Sequence, residues 1–145
     1  MLRSLFICCL LLLSSLYLLA QTPLNWIALS DLKLTQKMSA EFGTSYEEAT
    51  FSEHIKALDS TEVIISGYMI PLDALGTSFA LSRNPNASCF FCGNAGPETV
   101  LRLWFQPKHM KRYNTDDHRR IQGLLRIHPS TEHGFIYELW NAKPI

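Results

Sequence analysis

Charge of one sign is what this 145-residue sequence lacks first: thirteen Lys and Arg stand against thirteen Asp and Glu. A protein that grips nucleic acid regardless of sequence needs a basic face to displace counterions. A polybasic membrane-surface protein needs the same. The composition supports neither class. Internal repeats and low-complexity tracts are missing too, as are a Gly-rich phosphate loop, a nucleophile elbow and a metalloprotease His pair, the motifs that would point directly to a reaction. Long apolar runs are scarce. One spans Leu5 to Leu19, and nothing after it is apolar enough to cross a bilayer.

That one run has the pattern of a secretion signal. Arg3 supplies a positive head, Leu5 to Leu19 the apolar stretch, and Ala20 a small residue before Gln21. The run is shorter than the roughly 20 residues a spanning helix uses, and no stop-transfer cluster follows. The expectation is a signal peptide over residues 1–20 and one domain over residues 21–145, delivered to the periplasm or the extracellular space. If the signal stays uncleaved, it tethers the domain to the membrane. Once cleaved, the protein is no integral membrane protein. A lipoprotein anchor is disfavoured, because Ile7 and Cys8, not small residues, precede Cys8 and Cys9.

Cleavage leaves about 125 residues, enough for one core. It removes Arg3, so twelve basic residues face thirteen acidic ones. It also removes Cys8 and Cys9, so Cys89 and Cys92 remain as a single close pair in an oxidising compartment.

The mature chain reads as mainly β. Leu24 to Leu34 fits a short helix, or a helix running into a strand. Lys37 to Ala49 is polar, with a loop at Gly43, Thr44 and Ser45. Phe51 to Leu58 has helical spacing. Strands are predicted over Glu62 to Ile70, Ser78 to Ser82, Thr99 to Phe105, Ile121 to Ile127 and Phe135 to Trp140, with a charged loop from Lys108 to Arg119 and a hairpin turn over Pro129 to Gly134. Gly67 and Gly123 lie inside strands, where a sheet bends or bulges. About five strands and one or two short helices predict a small, partly closed OB-like barrel. A short sandwich is the competing fold.

The least generic stretch runs from Cys89 to Glu98. Two residues separate the cysteines, so both sulfurs reach each other or one metal ion. Gly93 and Gly96 permit unusual backbone angles, and Pro97 could open a helical turn. Phe90 and Phe91 are costly to leave in water, so the loop should pack on the barrel. Four readings stand: a structural disulfide; a redox-active dithiol, which requires a stabilised thiolate; a metal site; and a loop that binds a partner or small ligand. In the metal reading, His128 and His133 flank the predicted hairpin turn and could complete a zinc or copper shell with Cys89 and Cys92. Solvated turn histidines are the plainer alternative. Covalent haem attachment is excluded because Gly93, not His, follows Cys92. His54, His109 and His118 read as solvated.

These motifs in combination resemble a known family. Gly67-Tyr68-Met69-Ile70-Pro71-Leu72, Ala87-Ser88-Cys89-Phe90-Phe91-Cys92-Gly93 and Ala95-Gly96-Pro97-Glu98 resemble a family of exported bacterial proteins classed as a domain of unknown function. Leu24-Asn25-Trp26 and the Phe-led segment Phe51 to Leu58 extend the resemblance over Trp26 to Trp140. It implies export and a small OB-like barrel, and carries no activity. It also implies a glycine in the turn before the first long strand, where this chain has Ser60. The leading expectation is therefore an exported, non-enzymatic binding or accessory domain without a cofactor, whose partner class is another exported or membrane protein. A metal-handling protein and a thiol-disulfide enzyme are its rivals.

Overall fold

In the computed structural model the described residues are 22–93 and 95–145. The expected export signal over residues 1–20, with Cys8 and Cys9, lies outside them, as does Asn94. The strands are β1 (Thr22–Pro23), β2 (Leu32–Met38), β3 (Ser45–Phe51), β4 (Glu62–Pro71), β5 (Phe79–Ser82), β6 (Val100–Phe105), β7 (His118–Ile127) and β8 (Tyr137–Pro144); the helices are α1 (Trp26–Leu29) and α2 (Glu53–Leu58).

Five strands make a barrel in the order β4-β5-β6-β8-β7, and β7 pairs back onto β4 to close it. The β6–β8 pairing is parallel, while β4–β5, β5–β6, β7–β8 and β4–β7 are antiparallel. This is the expected OB-like barrel, here closed by seven residue pairs from Glu62–Leu124 to Tyr68–His118. Closure removes the exposed edges that an open sheet would leave. β1 is an extra short strand, parallel to the start of β4.

Alternation along each strand sorts the two faces. Val63, Ile65 and Met69 of β4, Phe79 and Leu81 of β5, Leu101 and Leu103 of β6, Ile121 and Leu125 of β7, and Tyr137 and Leu139 of β8 fill the interior. Gly67 holds no bulge. Instead β5 and Trp26 crowd it: a Cβ there would lie 2.6 Å from the Ser82 carbonyl oxygen and 2.9 Å from Leu81 Cγ. Gly123 does sit at a register shift, between Gln122 and Leu124 where β7 meets β8.

The two short helices add Leu29, Ile55 and Leu58 to the core. Asn25 caps α1 by accepting from Ala28 N–H at 2.8 Å; Trp26 Nε1 donates to the Ser66 carbonyl at 2.7 Å. Ser52 caps α2, so Phe51 ends β3 and does not start the helix. Ile55 and Leu58 are its buried side.

The expected loop at Gly43 and Thr44 is present, but the polar segments flanking it are paired strands. The polar stretch from Lys37 to Ala49, read as leading through a loop, is most of an antiparallel hairpin: β2 pairs with β3 from Leu32–Phe51 to Met38–Ser45. Only residues 39–44 form the turn. The hairpin is tied to the β7–β8 loop, where Ala49 N–H donates to Pro129 O at 2.7 Å and Thr131 N–H to Glu47 O at 2.9 Å. Among the described residues no helix is long and apolar enough to cross a membrane.

Candidate functional site

Outside the barrel, β4, β5 and β6 present a small second apolar cluster of Ile70, Ala80 and Val100. Two loops cover it. One is the β5–β6 loop, which carries the cysteines and contributes Phe90; the other is the β7–β8 loop, which contributes Phe135. The rings interlock, with Phe91 edge-on to Phe90 at 5.6 Å and to Phe135 at 5.9 Å between centroids. The expected packing of the cysteine loop on the barrel is thereby achieved.

The loop folds as three short 3₁₀ turns, Asn86–Ser88, Phe90–Cys92 and Pro97–Thr99. Arg83 N–H to Thr99 O, 2.9 Å, closes its base. Asn86 N–H to Asp116 Oδ1, 2.7 Å, ties it to the β6–β7 connection. Gly93 ends the middle turn with φ 71°, in the left-handed region that glycine favours. Gly96 leaves room for the Glu98 carboxylate, into which a Cβ would run. Pro97 is buried at the first position of the last turn.

Within this frame the two thiols differ. Cys89 is fully buried and Cys92 exposed. Cys92 N–H donates to Cys89 O at 3.2 Å, and Cys92 Sγ lies 3.2 Å from Asn86 O. Burial pushes the Cys92 thiol above its ordinary 9.0, and the neighbouring Cys89 pushes it the same way.

His128 and His133 lie on the β7–β8 loop and line one concavity of about 340 Å³ with Ser130 and Glu138. The cysteines do not line it. Among the described residues no three His, Cys, Asp or Glu side chains gather to hold a metal ion. A smaller, nearly all-apolar cavity of about 170 Å³ adjoins it between Phe90, Phe91, Pro97 and Phe135. Of the other histidines, His118 stacks edge-on against Tyr68 at 5.0 Å, His54 lies on the exposed side of α2, and His109 ends a 3₁₀ turn.

A group that the sequence reading did not single out surrounds Glu138. Its carboxylate accepts from Trp140 Nε1 at 2.7 Å and sits 3.4 Å from His128 Nε2. Burial pushes this carboxyl up, but donation from Trp140 and the proximity of Trp104 and His128 outweigh it and hold Glu138 below its ordinary range. Trp104 and Trp140 pair across β6 and β8 with ring centroids 6.2 Å apart. Arg102 lies over Trp104, 4.3 Å from the ring centroid. The available signal was β8's alternation, which already put Glu138 and Trp140 on the face opposite Tyr137 and Leu139.

No family model and no curated protein sequence matches the chain. Among solved structures, a DUF3299 family protein from Pseudomonas aeruginosa PAO1 is similar in fold, with a TM-score of 0.51 and 16% identity, over 87% of this chain and 97% of that one. At that identity the likeness is one of fold. It agrees with the resemblance to a domain of unknown function.

Proposed function

We propose that this protein is an exported, non-enzymatic binding domain in which a Cys89–Cys92 disulfide pins an aromatic loop over the outer face of the barrel. The pair's own environment carries the reading. Cys89 is buried, Cys92 interacts with it, and the Cys92 thiol is pushed up, with no basic side chain among the described residues drawing it down. A redox-active dithiol needs the reverse, a thiolate favoured by a cation or helix N-terminus. A bridge needs only two sulfurs that can meet, and an oxidising compartment favours it. The aromatic junction of the two loops, with its adjoining cavities, supports a binding role: ligand sites are mostly apolar concavities with a few polar groups.

Protein purified from the export compartment should show no free thiol when titrated in denaturant. After reduction, Cys92 should alkylate more slowly at neutral pH than an unperturbed cysteine, and its rate should keep climbing above pH 9.0. The raised value means the reactive thiolate appears late. Replacing both cysteines by Ser should lower unfolding stability by about 2 kcal/mol, the chain-entropy value for so short a loop. Two free thiols in the native protein, or rapid alkylation at neutral pH, would overturn the reading.

A further inference from the structure

We infer that the outer face of β6 and β8, beside the cysteine loop, is a stacking platform for a neutral glycan. The inference rests on the binding-domain reading and names its ligand class. Two adjacent rows carry it. Arg102 on β6 is the register partner of Glu138 on β8, and Trp104 is the partner of Trp140. The indoles are 43% and 47% exposed, yet they are not loose. Trp140 is fixed by its N–H on the buried side of Glu138, whose side chain is only 15% exposed, and Trp104 is held by Arg102 over its ring. With the Trp140 edge engaged and Arg102 over one face of Trp104, each half-exposed ring keeps an apolar face to offer. Holding two large aromatic rings half in water costs stability, and Phe42, Phe91 and Met110 share that exposure without any such polar anchoring.

Charge selects the ligand. Arg102 forms no ion pair among the described residues, and its Nε is buried without a hydrogen-bond partner. Glu138 stands opposite it in the same row. A carboxylate or phosphate drawn to Arg102 would meet Glu138, and a cation drawn to Glu138 would meet Arg102. A hydroxyl donates and accepts at once, so a ring bearing hydroxyls satisfies both signs while its C–H face lies on an indole. Barrels of this type take oligonucleotides or oligosaccharides on the face of their second and third strands, here β5 and β6, and the platform shares β6 with that face. An oligonucleotide needs a run of cations, and the chain's charges balance at thirteen against thirteen.

The test is titration of the mature protein with chitotetraose, cellotetraose and maltotetraose, and separately with oligothymidylate, following tryptophan fluorescence. At least one sugar should give a saturable change, nearly constant between about 50 and 200 mM salt because no counterions are released. Trp104→Ala and Trp140→Ala should each weaken it on the order of ten-fold, as loss of a stacking ring does. Arg102→Met should weaken it with the fold intact by circular dichroism. If no sugar binds, or if a sugar binds equally well to the Trp104→Ala, Trp140→Ala double variant, the proposal is overturned. Binding of oligothymidylate alone, falling steeply with salt, overturns it in favour of nucleic acid. None of these outcomes touches the thiol titration, so a failed platform and a failed bridge are told apart.

Discussion

At the scale of single residues, the fold puts three described non-glycine residues, Ser60, Asp116 and Asn141, in the left-handed region, and of these serine is the type that tolerates it least. Ser60 has φ 60°, in the left-handed region. It stands in the turn between α2 and β4, where the resemblance implied glycine. A non-glycine residue there gives up roughly 1–2 kcal/mol. Serine recovers part of this locally: its hydroxyl accepts from Arg126 Nη1 at 3.2 Å and lies 3.4 Å from Asp59 Oδ2. Its N–H also donates to Leu125 O at 2.8 Å, a bond that any residue can make. Ser60→Gly keeps that bond, relieves the strain and loses two exposed contacts worth little in water. The variant should be more stable by about 0.5–1 kcal/mol. The midpoint of urea unfolding measures it, and an unchanged or lower midpoint would mean that the hydroxyl contacts outweigh the strain. The turn was legible from residue type, but serine's acceptance of the glycine conformation was not, because it depends on partners far along the chain.

At the scale of elements, short helices cannot hold themselves. A four-residue helix is far below the length at which helices persist alone, so α1 needs an anchor. Tyr137 provides it from inside the barrel: its hydroxyl donates to the Leu29 carbonyl at 2.7 Å, and the side chain is fully buried. Burial pushes that hydroxyl well above its ordinary range, with the Glu98 and Asp31 carboxylates adding to the effect, so it remains a donor throughout the pH range in which the protein is used. Tyr137→Phe keeps the ring and strands a carbonyl at the end of α1. It should cost about 1–3 kcal/mol and speed amide exchange over residues 26–30 more than in β4. Equal exchange in both places would show that α1 is held by Trp26 and packing alone. The helix itself was legible from the spacing of Trp26, Ile27 and Leu29. The hairpin of β2 and β3 was not. Gln36, Lys37, Glu47 and Glu48 look like loop because the hairpin stands largely in water. Its order comes from pairing, from the Lys37–Glu48 ion pair, and from the β7–β8 loop, none of which leaves an apolar period to read.

At the scale of the whole molecule, the apolar strands could be located one by one from their dense β-branched and aromatic runs, although β5 is buried on both faces and β4 nearly so. Which strands are neighbours could not be read that way. The parallel β6–β8 pairing and the β4–β7 closure join segments dozens of residues apart, and alternation is blind to partner. The same limit hid the platform: Arg102 and Trp104 belong with Glu138 and Trp140 only once β6 lies beside β8. Glycine was the one local sign of closure, and the two strand glycines act differently. Gly123 marks the bulge that re-aims β7 against β8. Gly67 is the place where β4 passes from pairing with β7 to pairing with β5 while α1 crosses above it. A methyl group there meets a backbone oxygen, which cannot step aside as a flexible side chain would. Gly67→Ala should therefore push β5 and Trp26 away together and cost about 1–3 kcal/mol, the range for overpacking. If the barrel unfolds as one cooperative unit, the urea midpoint should fall while the slope m stays constant. A reduced m, with the Trp26 fluorescence transition separating from the circular dichroism transition, would show instead that α1 and β5 come away before the barrel opens. In either case Gly67 reports how tightly the side of the barrel nearest α1 is coupled to the rest.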